Sequence, residues 1–303
     1  MLKYRLLFGP LMILLLVVAL WLDEHLDGVA IPAWISSFLP AGHAPTFAPG
    51  LVILILGLVL VPLAARELGA MCHKGGAPAS RRWMSIAAIA GLLVCAFVPL
   101  KTSPIHAVAL VATVGTLVLV GSLIWHIRDK QTDGATAAVG AAMLAFVYLG
   151  LMFGFVLALR REHPASVVAG VLVITKSCDI GAYVTGRAIG KHKLIPWLSP
   201  GKTWEGLLGG IIVAALTAVG GLLLHQHFLG HAGVGSLSLG YAALVGGVLA
   251  ISGQGGDLLE SVLKRDAGIK DSGRSIPGFG GVLDVLDSVL LAAPFAFWLL
   301  TTR

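Results

Sequence analysis

The chain has 303 residues, of which 57% are hydrophobic and 12% are charged, and its formal net charge is +6. Because soluble domains are typically about 45 to 50% apolar, this composition excludes an ordinary water-soluble enzyme or binding module. Several apolar runs of about 20 residues are long enough to cross a hydrocarbon core of roughly 30 Å as helices. A transmembrane barrel would instead show short alternating segments. We therefore predict an all-α, polytopic membrane protein with about nine transmembrane helices.

The first apolar run, about Leu6 to Leu22, follows two basic residues, a pattern that a signal peptide shares. It is long for a signal peptide, and no small-residue cleavage site comes before Asp23 and Glu24, so we predict a retained span. Eight further spans are predicted at about Pro49–Ala65, Met84–Leu100, Ile105–Trp125, Thr136–Leu159, Pro164–Thr185, Gly206–Leu224, Ser238–Ser252 and Gly281–Leu300.

Lys and Arg are divided unevenly between alternate loops. If the N-terminus lies inside, sixteen of them fall in inside segments, four fall in outside segments, and Lys176 lies within a span. Because Lys and Arg concentrate on the cytoplasmic side of membrane proteins, we predict a cytoplasmic N-terminus. The positive charge suits the anionic cytoplasmic leaflet, so we expect membrane lipids as partners and no nucleic acid. The four outside residues are Lys101, Arg160, Arg161 and Arg303.

A polar stretch at residues 256–288 separates the last two apolar runs and holds six acidic and four basic residues. If its first part is helical, Asp257, Ser261 and Lys264 lie on one face. Asp284 and Asp287, three residues apart, share a face at the start of the last apolar helix. Carboxylates that face one another near a membrane repel unless a positive group lies between them. Since hard oxygen ligands favour Mg²⁺, we predict a magnesium site here.

The basic residues of this stretch, Lys264, Arg265, Lys270 and Arg274, suit phosphate oxygens. A metal, basic side chains and flexible glycines together indicate phosphoryl or nucleotidyl transfer. One alternative is a solvated loop whose charges pair with one another and with lipid head groups. A transporter is a second alternative, and it would carry inverted repeats with broken helices, which the sequence does not show.

A set of residues with fixed spacing runs through the stretch: Ser261-x-Leu263-Lys264-Arg265, Lys270-Asp271, Ile276-Pro277, Gly280-Gly281, Asp284 and Asp287. This set closely resembles the signature of phosphatidate cytidylyltransferases, also called CDP-diacylglycerol synthases. That family usually has His before the paired glycines and Arg after the first aspartate, whereas this chain has Phe279 and Val285. Neither position is one that we assign to metal ligation.

A second block contains Asp179-Ile180-Gly181-Ala182-Tyr183, Gly186-Arg187, Gly190-Lys191 and Ser199-Pro200-Gly201-Lys202-Thr203-Trp204-Glu205-Gly206. It resembles the family's other motif. Lys202 and Thr203 lie among glycines, which suits contact with a triphosphate, with a lipid head-group role as the rival. The loop lacks the leading glycine of a Walker P-loop. Asp179 follows Lys176 by three residues, so it either forms an internal ion pair or helps to hold the metal or nucleotide.

The resemblance implies transfer of a cytidylyl group from CTP to phosphatidic acid, giving CDP-diacylglycerol and pyrophosphate in phospholipid biosynthesis. The alternative is a CTP-dependent transferase acting on another membrane lipid, such as an isoprenoid ether phosphate or a polyprenol. The implied cofactor is Mg²⁺, with or without a second, monovalent cation. The implied location is the cell inner membrane with the site facing the cytoplasm, and a homodimer is expected at family level. We predict about five N-terminal spans over residues 1–160 and a catalytic membrane region over residues 161–303.

The resemblance also implies residue roles. The metal ligands would be Asp257 and Asp284, with Asp287 or Asp271 in support. The catalytic residues would be Ser261, Lys264, Arg265 and Asp287. The substrate-binding residues would be Asp179, Lys202, Thr203, Lys270, Asp271 and Arg274.

Overall fold

The computed structural model describes residues 2–31, 46–97, 103–128, 130, 132–231 and 233–301, without the side chains of residues 2, 3 and 5. Helices account for most of these residues. In chain order the elements are α1 Leu2–Leu26, α2 Leu51–Lys74, α3 Arg81–Phe97, α4 Pro104–Ile127, α5 Ala135–Leu144, a π-helical segment Ala145–Leu151, α6 Met152–Glu162, α7 Ala165–Ile189, β1 Lys193–Ile195, β2 Ser199–Thr203, α8 Trp204–Leu229, a 3₁₀ turn Gly233–Ser236, α9 Leu239–Asp266 and α10 Leu283–Thr301.

Eight helical runs in the described part of the chain are long and apolar enough to cross a membrane. One of them, Ala135–Glu162, comprises α5, the π-helical segment and α6. The predicted span at Met84–Leu100 corresponds to α3, which has 17 residues. The predicted end of that span, like Lys101 and Arg303, lies outside the described residues. The all-α, multi-span membrane class is confirmed and the predicted count of about nine is close, while the orientation of the N-terminus stays a prediction.

The largest of three hydrophobic clusters among the described residues extends through both halves of the chain. Leu68 of α2, Leu157 of α6, Leu249 of α9 and Leu290 of α10 are all buried within one cluster. Helix α10 packs against α9 on one side and α6 on another, and α7 packs along α8. The helix that carries Asp284 and Asp287 is therefore held by elements from both halves. The predicted division at residue 160 stays a prediction.

A short antiparallel hairpin of β1 and β2 precedes α8, with Lys193 opposite Thr203. The Thr203 hydroxyl accepts a hydrogen bond from the Gly206 N–H at 3.1 Å, so Thr203 caps the first turn of α8. Glu205 fastens the hairpin to that turn, because its carboxylate accepts the backbone N–H of His192 at 3.2 Å. The Ser199–Thr203 loop of the second motif is thus a strand that ends in a helix cap.

Candidate active site

Helices α9 and α10 approach backbone to backbone at Gly256. A Cβ added there would collide with the carbonyl oxygen of Asp287, so only glycine permits this packing. Asp257 follows Gly256 directly, and the contact therefore brings the polar end of α9 against the polar start of α10. The predicted helix through Asp257 and Lys264 is confirmed, since α9 continues to Asp266.

Three carboxylates meet at this contact, and we call Asp257, Glu260 and Asp287 the carboxylate cluster. One oxygen from each lies within 4.8 Å of the others. Glu260 is 0% exposed and Asp287 is 5% exposed, whereas Asp257 is half-buried. The Oε1 atom of Glu260 is buried and has no hydrogen-bond partner among the described residues. Such an arrangement of like charges is costly without a cation between them.

Two lysines lie beside the carboxylate cluster. Lys202, the penultimate residue of β2, places its Nζ 2.7 Å from the Asp257 Oδ2. The Lys264 Nζ is 2.9 Å from the Glu260 Oε2 and 2.9 Å from the Asp284 Oδ1. Two lysines thus face four carboxylates, which leaves two negative charges when all of these groups are ionised. Among the described residues, no Lys or Arg pairs with Asp287.

These residues fit a hard divalent cation on the evidence of the structure itself. The cluster offers carboxylate oxygens, which are the donors that Mg²⁺ takes in proteins. The Oε1 of Glu260 is a buried oxygen that has no hydrogen-bond donor within the described chain. The charge of the cluster exceeds that of the two lysines.

Asp284 faces a different environment from Asp287. Its Oδ2 accepts the N–H and the hydroxyl of Ser272 at 2.9 and 2.8 Å and the N–H of Gly281 at 2.7 Å. Its Oδ1 accepts a hydrogen bond from the Lys264 ammonium group at 2.9 Å. The structure therefore brings the predicted Asp257 and Asp287 together with Glu260, and it places Asp284 on the far side of Lys264. The role of Asp284 as a metal ligand stays a prediction.

Asp179 is connected to the same site through polar contacts. Its Oδ1 accepts the side-chain N–H of Gln254 at 2.9 Å, and its Oδ2 lies 3.6 Å from the Lys176 Nζ. Lys202 donates to the carbonyl of Gln254 at 3.4 Å. Of the two alternatives for Asp179, the internal ion pair with Lys176 is present, and the pair adjoins the lysine that contacts Asp257.

The other predicted residues lie partly around this centre and partly apart from it. Ser261 is one helical turn from Asp257 and is partly buried. Arg265 donates to the carbonyls of Leu198 and Ile269, which ties α9 to the hairpin loop. Thr203 is occupied by helix capping. The remaining three predicted residues are Lys270, Asp271 and Arg274. They line a separate cavity of about 330 Å³, together with Lys74, Ser272 and other residues.

Two residues of the site were missed by sequence reasoning. Glu260 lies three residues after Asp257 and four before Lys264, so the helical spacing already indicated that it shares their face. Glu67, whose carboxylate contacts the polar stretch from α2, is more than 200 positions away from Ser272 along the chain. Glu67 lies two residues beyond the predicted end of its span at Ala65, so the sequence carried no signal for it; the structure extends the helix to Lys74.

The known proteins that this chain resembles include cytidylyltransferases. The Cytidylyltransferase family matches residues 32–302. The phosphatidate cytidylyltransferase of Bacillus subtilis is 38% identical over 164 residues, which cover 54% of this chain and 58% of that protein. That of Haemophilus influenzae is 42% identical over 161 residues, 50% of this chain and 54% of that protein. That of Mycobacterium leprae is 32% identical over 273 residues, 84% of this chain and 81% of that protein. The chain thus spans little more than half the length of the first two relatives and most of the third.

Proposed function

The chain belongs to the cytidylyltransferase family, and we propose that it transfers the cytidylyl group of CTP to phosphatidic acid, giving CDP-diacylglycerol and pyrophosphate. Relatives from three bacteria are named phosphatidate cytidylyltransferases. The observation that carries the proposal is the carboxylate cluster with Lys202 and Lys264 at its edges. Carboxylates that outnumber lysines can hold a cation and still leave ammonium groups for phosphate oxygens.

The proposed reaction is an in-line substitution at phosphorus. An oxygen of the lipid phosphate forms a bond to the α-phosphorus of CTP, and the bond from that phosphorus to the α,β-bridging oxygen breaks. Pyrophosphate leaves with the electron pair of that bond. No general base is needed, because a phosphate monoester is already ionised near neutral pH. The task of the protein is therefore to position the two phosphates and to stabilise the charge that develops.

We assign the roles of the residues from their positions. Asp257, Glu260 and Asp287 would hold Mg²⁺, which when bound neutralises phosphate oxygens and orients the triphosphate. Lys202 and Lys264 present ammonium groups at opposite edges of the cluster, where they can contact phosphates of the nucleotide. Asp284 holds Lys264 in place on the side away from Glu260. Thr203 supports Lys202, its neighbour, by fixing the end of β2 to α8.

The position of the site relative to the spans suits one lipid and one water-soluble substrate. The cluster is formed near the C-terminal end of α9 and the N-terminal end of α10, both candidate spans. A phosphate attached to acyl chains lies at the membrane surface, where CTP can reach it from the water. We propose that this surface is cytoplasmic, from the distribution of Lys and Arg, and that the membrane is the inner membrane, since the relatives are bacterial. The homodimer and the monovalent cation stay predictions.

The experiment that tests this function follows label from CTP into lipid. Purified protein in detergent is given α-labelled CTP, phosphatidic acid and Mg²⁺, and the product is identified by mass spectrometry. We expect labelled CDP-diacylglycerol from the natural chain, loss of product with EDTA or with Asp257→Asn, and unchanged product with Asp266→Asn, an exposed acid of the same helix. Product with another lipid phosphate but none with phosphatidic acid would replace the proposed substrate. Absence of CTP turnover with every lipid phosphate would refute the activity.

A further inference from the structure

Glu67 is a buried acidic residue in α2, within the half of the chain that the signature does not reach. Its side chain is 8% exposed. Among the described residues, no Lys, Arg or His lies within ion-pair distance of it. A carboxylate inside an apolar span without a basic partner is costly unless several donors satisfy it.

Three such donors come from the polar stretch, and a further hydroxyl lies close to the carboxylate. The Oε1 of Glu67 accepts the Ser275 hydroxyl at 2.6 Å and the Val282 N–H at 3.1 Å. Its Oε2 accepts the Leu283 N–H at 3.0 Å and approaches the Ser272 hydroxyl at 3.3 Å. Val282 directly precedes α10 and Leu283 is its first residue, so a side chain from a distant helix provides the cap of α10.

Two glycines lie close to the Glu67 carboxylate. A Cβ added at Gly273 or at Gly281 would collide with the Glu67 carboxylate. Both glycines belong to the segment at residues 272–283, which we call the anchor loop. The anchor loop therefore wraps closely around one carboxylate.

The anchor loop leads directly to the active site. Ser272, which faces Glu67, also donates to Asp284, and Asp284 pairs with Lys264. Asp287 lies one turn further along α10, whose first N–H groups Glu67 accepts. A displacement of the Glu67 carboxylate would therefore move Lys264 through Asp284 and Asp287 through the helix itself.

We propose that Glu67 is a positioning residue for cytidylyl transfer, because it anchors the start of α10 and thereby sets Asp287 and Lys264 against the rest of the site. This inference rests on the proposed function for its effect on turnover, but the anchoring itself does not. Glu67 contacts neither the carboxylate cluster nor Lys202 directly in the structure, so it acts through the anchor loop.

Glutamate is specifically suited to this task. Its Oε1 accepts two donors, and its Oε2 accepts the Leu283 N–H with the Ser272 hydroxyl 3.3 Å away, so a carboxylate is matched on both sides. In Glu67→Gln the amide nitrogen would face a backbone N–H and a hydroxyl, and the backbone N–H would lose its acceptor. Leaving a buried donor unpaired is more costly than removing both partners.

The test measures the anchor loop and turnover separately. Arg274 is exposed within the loop, so trypsin cleavage after Arg274, followed by mass spectrometry, reports how often the loop opens. In Glu67→Gln we expect this cleavage to be faster by about tenfold. We expect kcat to fall by about 10- to 100-fold, as for other residues that orient a metal site. KM for CTP should change by a smaller factor, because Lys264 is displaced but Lys202 is undisturbed.

Two further variants guard against simple misfolding. Ser275→Ala removes one of the three donors and should shift cleavage and kcat in the same direction by less. Asp23→Asn is the matched control, since Asp23 is a buried carboxylate that caps the other end of α2 by accepting the Val52 N–H at 2.8 Å. It should lower thermal stability without changing the cleavage rate after Arg274 or the kcat of the folded protein.

The outcomes distinguish the positioning role of Glu67 from the proposed cytidylyl transfer. Faster cleavage together with a lower kcat in Glu67→Gln supports the inference. Unchanged cleavage in Glu67→Gln overturns it whether or not the natural chain is active, and faster cleavage with unchanged kcat in an active enzyme overturns the positioning role. A natural chain that turns over no CTP with any lipid phosphate refutes the proposed function and, with it, the catalytic part of the inference.

Discussion

Two groups of three carboxylates in this molecule differ in how many of their acids contact a basic side chain. In the first, Arg160 of α6 contacts three acids at the end of α1 and in the turn after it, with its Nε 2.6 Å from Asp23 and its Nη2 3.3 Å from Glu24 and 2.5 Å from Asp27. We call this group the Arg160 cluster. In the second, the carboxylate cluster, lysines contact only two of the three acids.

The two clusters differ in how fully basic side chains neutralise their negative charge. Arg160 supplies a cation to all three acids of its cluster, and two of those acids also reach solvent. In the carboxylate cluster Glu260 and Asp287 are both buried, and one oxygen of Glu260 has no hydrogen-bond partner in the described part of the chain. Each acid of the first cluster therefore has a basic partner as the chain folds, although the Oδ1 of Asp27 is also without a hydrogen-bond partner among the described residues. The second is suited to a cation taken from solution, which is the requirement of the proposed chemistry.

The largest effect on stability is expected from removing the cation of the Arg160 cluster. Arg160→Met removes the cation of a buried carboxylate and should lower the free energy of unfolding by about 3 to 5 kcal/mol. Arg161→Met, at the neighbouring and less buried position, is the control and should cost much less. Chemical unfolding in detergent, followed by Trp fluorescence, measures both. Equal stability of the two variants would contradict the assignment of a structural role to the Arg160 cluster.

Removing an acid of the carboxylate cluster should instead lower activity without lowering stability. In Asp287→Asn we expect kcat to fall by about 10²- to 10³-fold, the usual cost of a lost electrostatic group in an active site. The free energy of unfolding in metal-free buffer should stay the same or rise, because the substitution relieves repulsion between buried carboxylates. Activity assays and the same unfolding experiment measure the two quantities. A stability loss as large as that of Arg160→Met would show that Asp287 is structural.

The α9–α10 contact offers a test of how the carboxylate cluster is assembled. Gly256→Ala places a methyl group against the Asp287 carbonyl and should cost about 1 to 3 kcal/mol of stability. It should also lower kcat, since it separates Asp257 from Asp287. Gly247→Ala is the matched control in the same helix, where the added Cβ meets only Ile211 at 3.8 Å. If both variants keep full activity, the close approach does not form the site.

The smallest expected effect concerns the cap that holds Lys202. Thr203→Ala removes the hydroxyl that accepts the Gly206 N–H and should cost about 1 kcal/mol of stability. Because Lys202 is then less firmly held, KM for CTP should rise while kcat changes little. Thr203→Ser keeps the hydroxyl and should retain both constants, as steady-state kinetics would show. A fall in kcat with unchanged KM would instead place Thr203 at the reacting phosphates.

The helices were predictable because lipid and backbone impose simple rules, but their ends were not. The apolar run at Ser238–Ser252 stops where polar residues begin, whereas α9 continues to Asp266 because its last turns are covered by α10, the hairpin and the polar stretch. Hydropathy detects the region that contacts lipid. It does not detect a helix that extends beyond that region into a polar site.

The carboxylates were predictable as a group but not as partners. Asp257 and Asp287 were found from helical spacing and from the signature, yet their closeness depends on Gly256, whose role requires two packed helices. Asp284 and Asp287 share a helix but face different groups, because Asp284 lies at the first turn and is held by Ser272 and Gly281. Glu67 could not be assigned from spacing, since its contacts arise only through tertiary packing.

The central claim is that the carboxylate cluster binds a divalent cation, and direct binding tests it best. Mn²⁺, titrated into purified protein without substrate and followed by electron paramagnetic resonance, should bind at a site from which Mg²⁺ displaces it. The double variant Glu260→Gln and Asp287→Asn should lose that binding, whereas Asp266→Asn should keep it. Retention of the same Mn²⁺ affinity in the double variant would contradict the account.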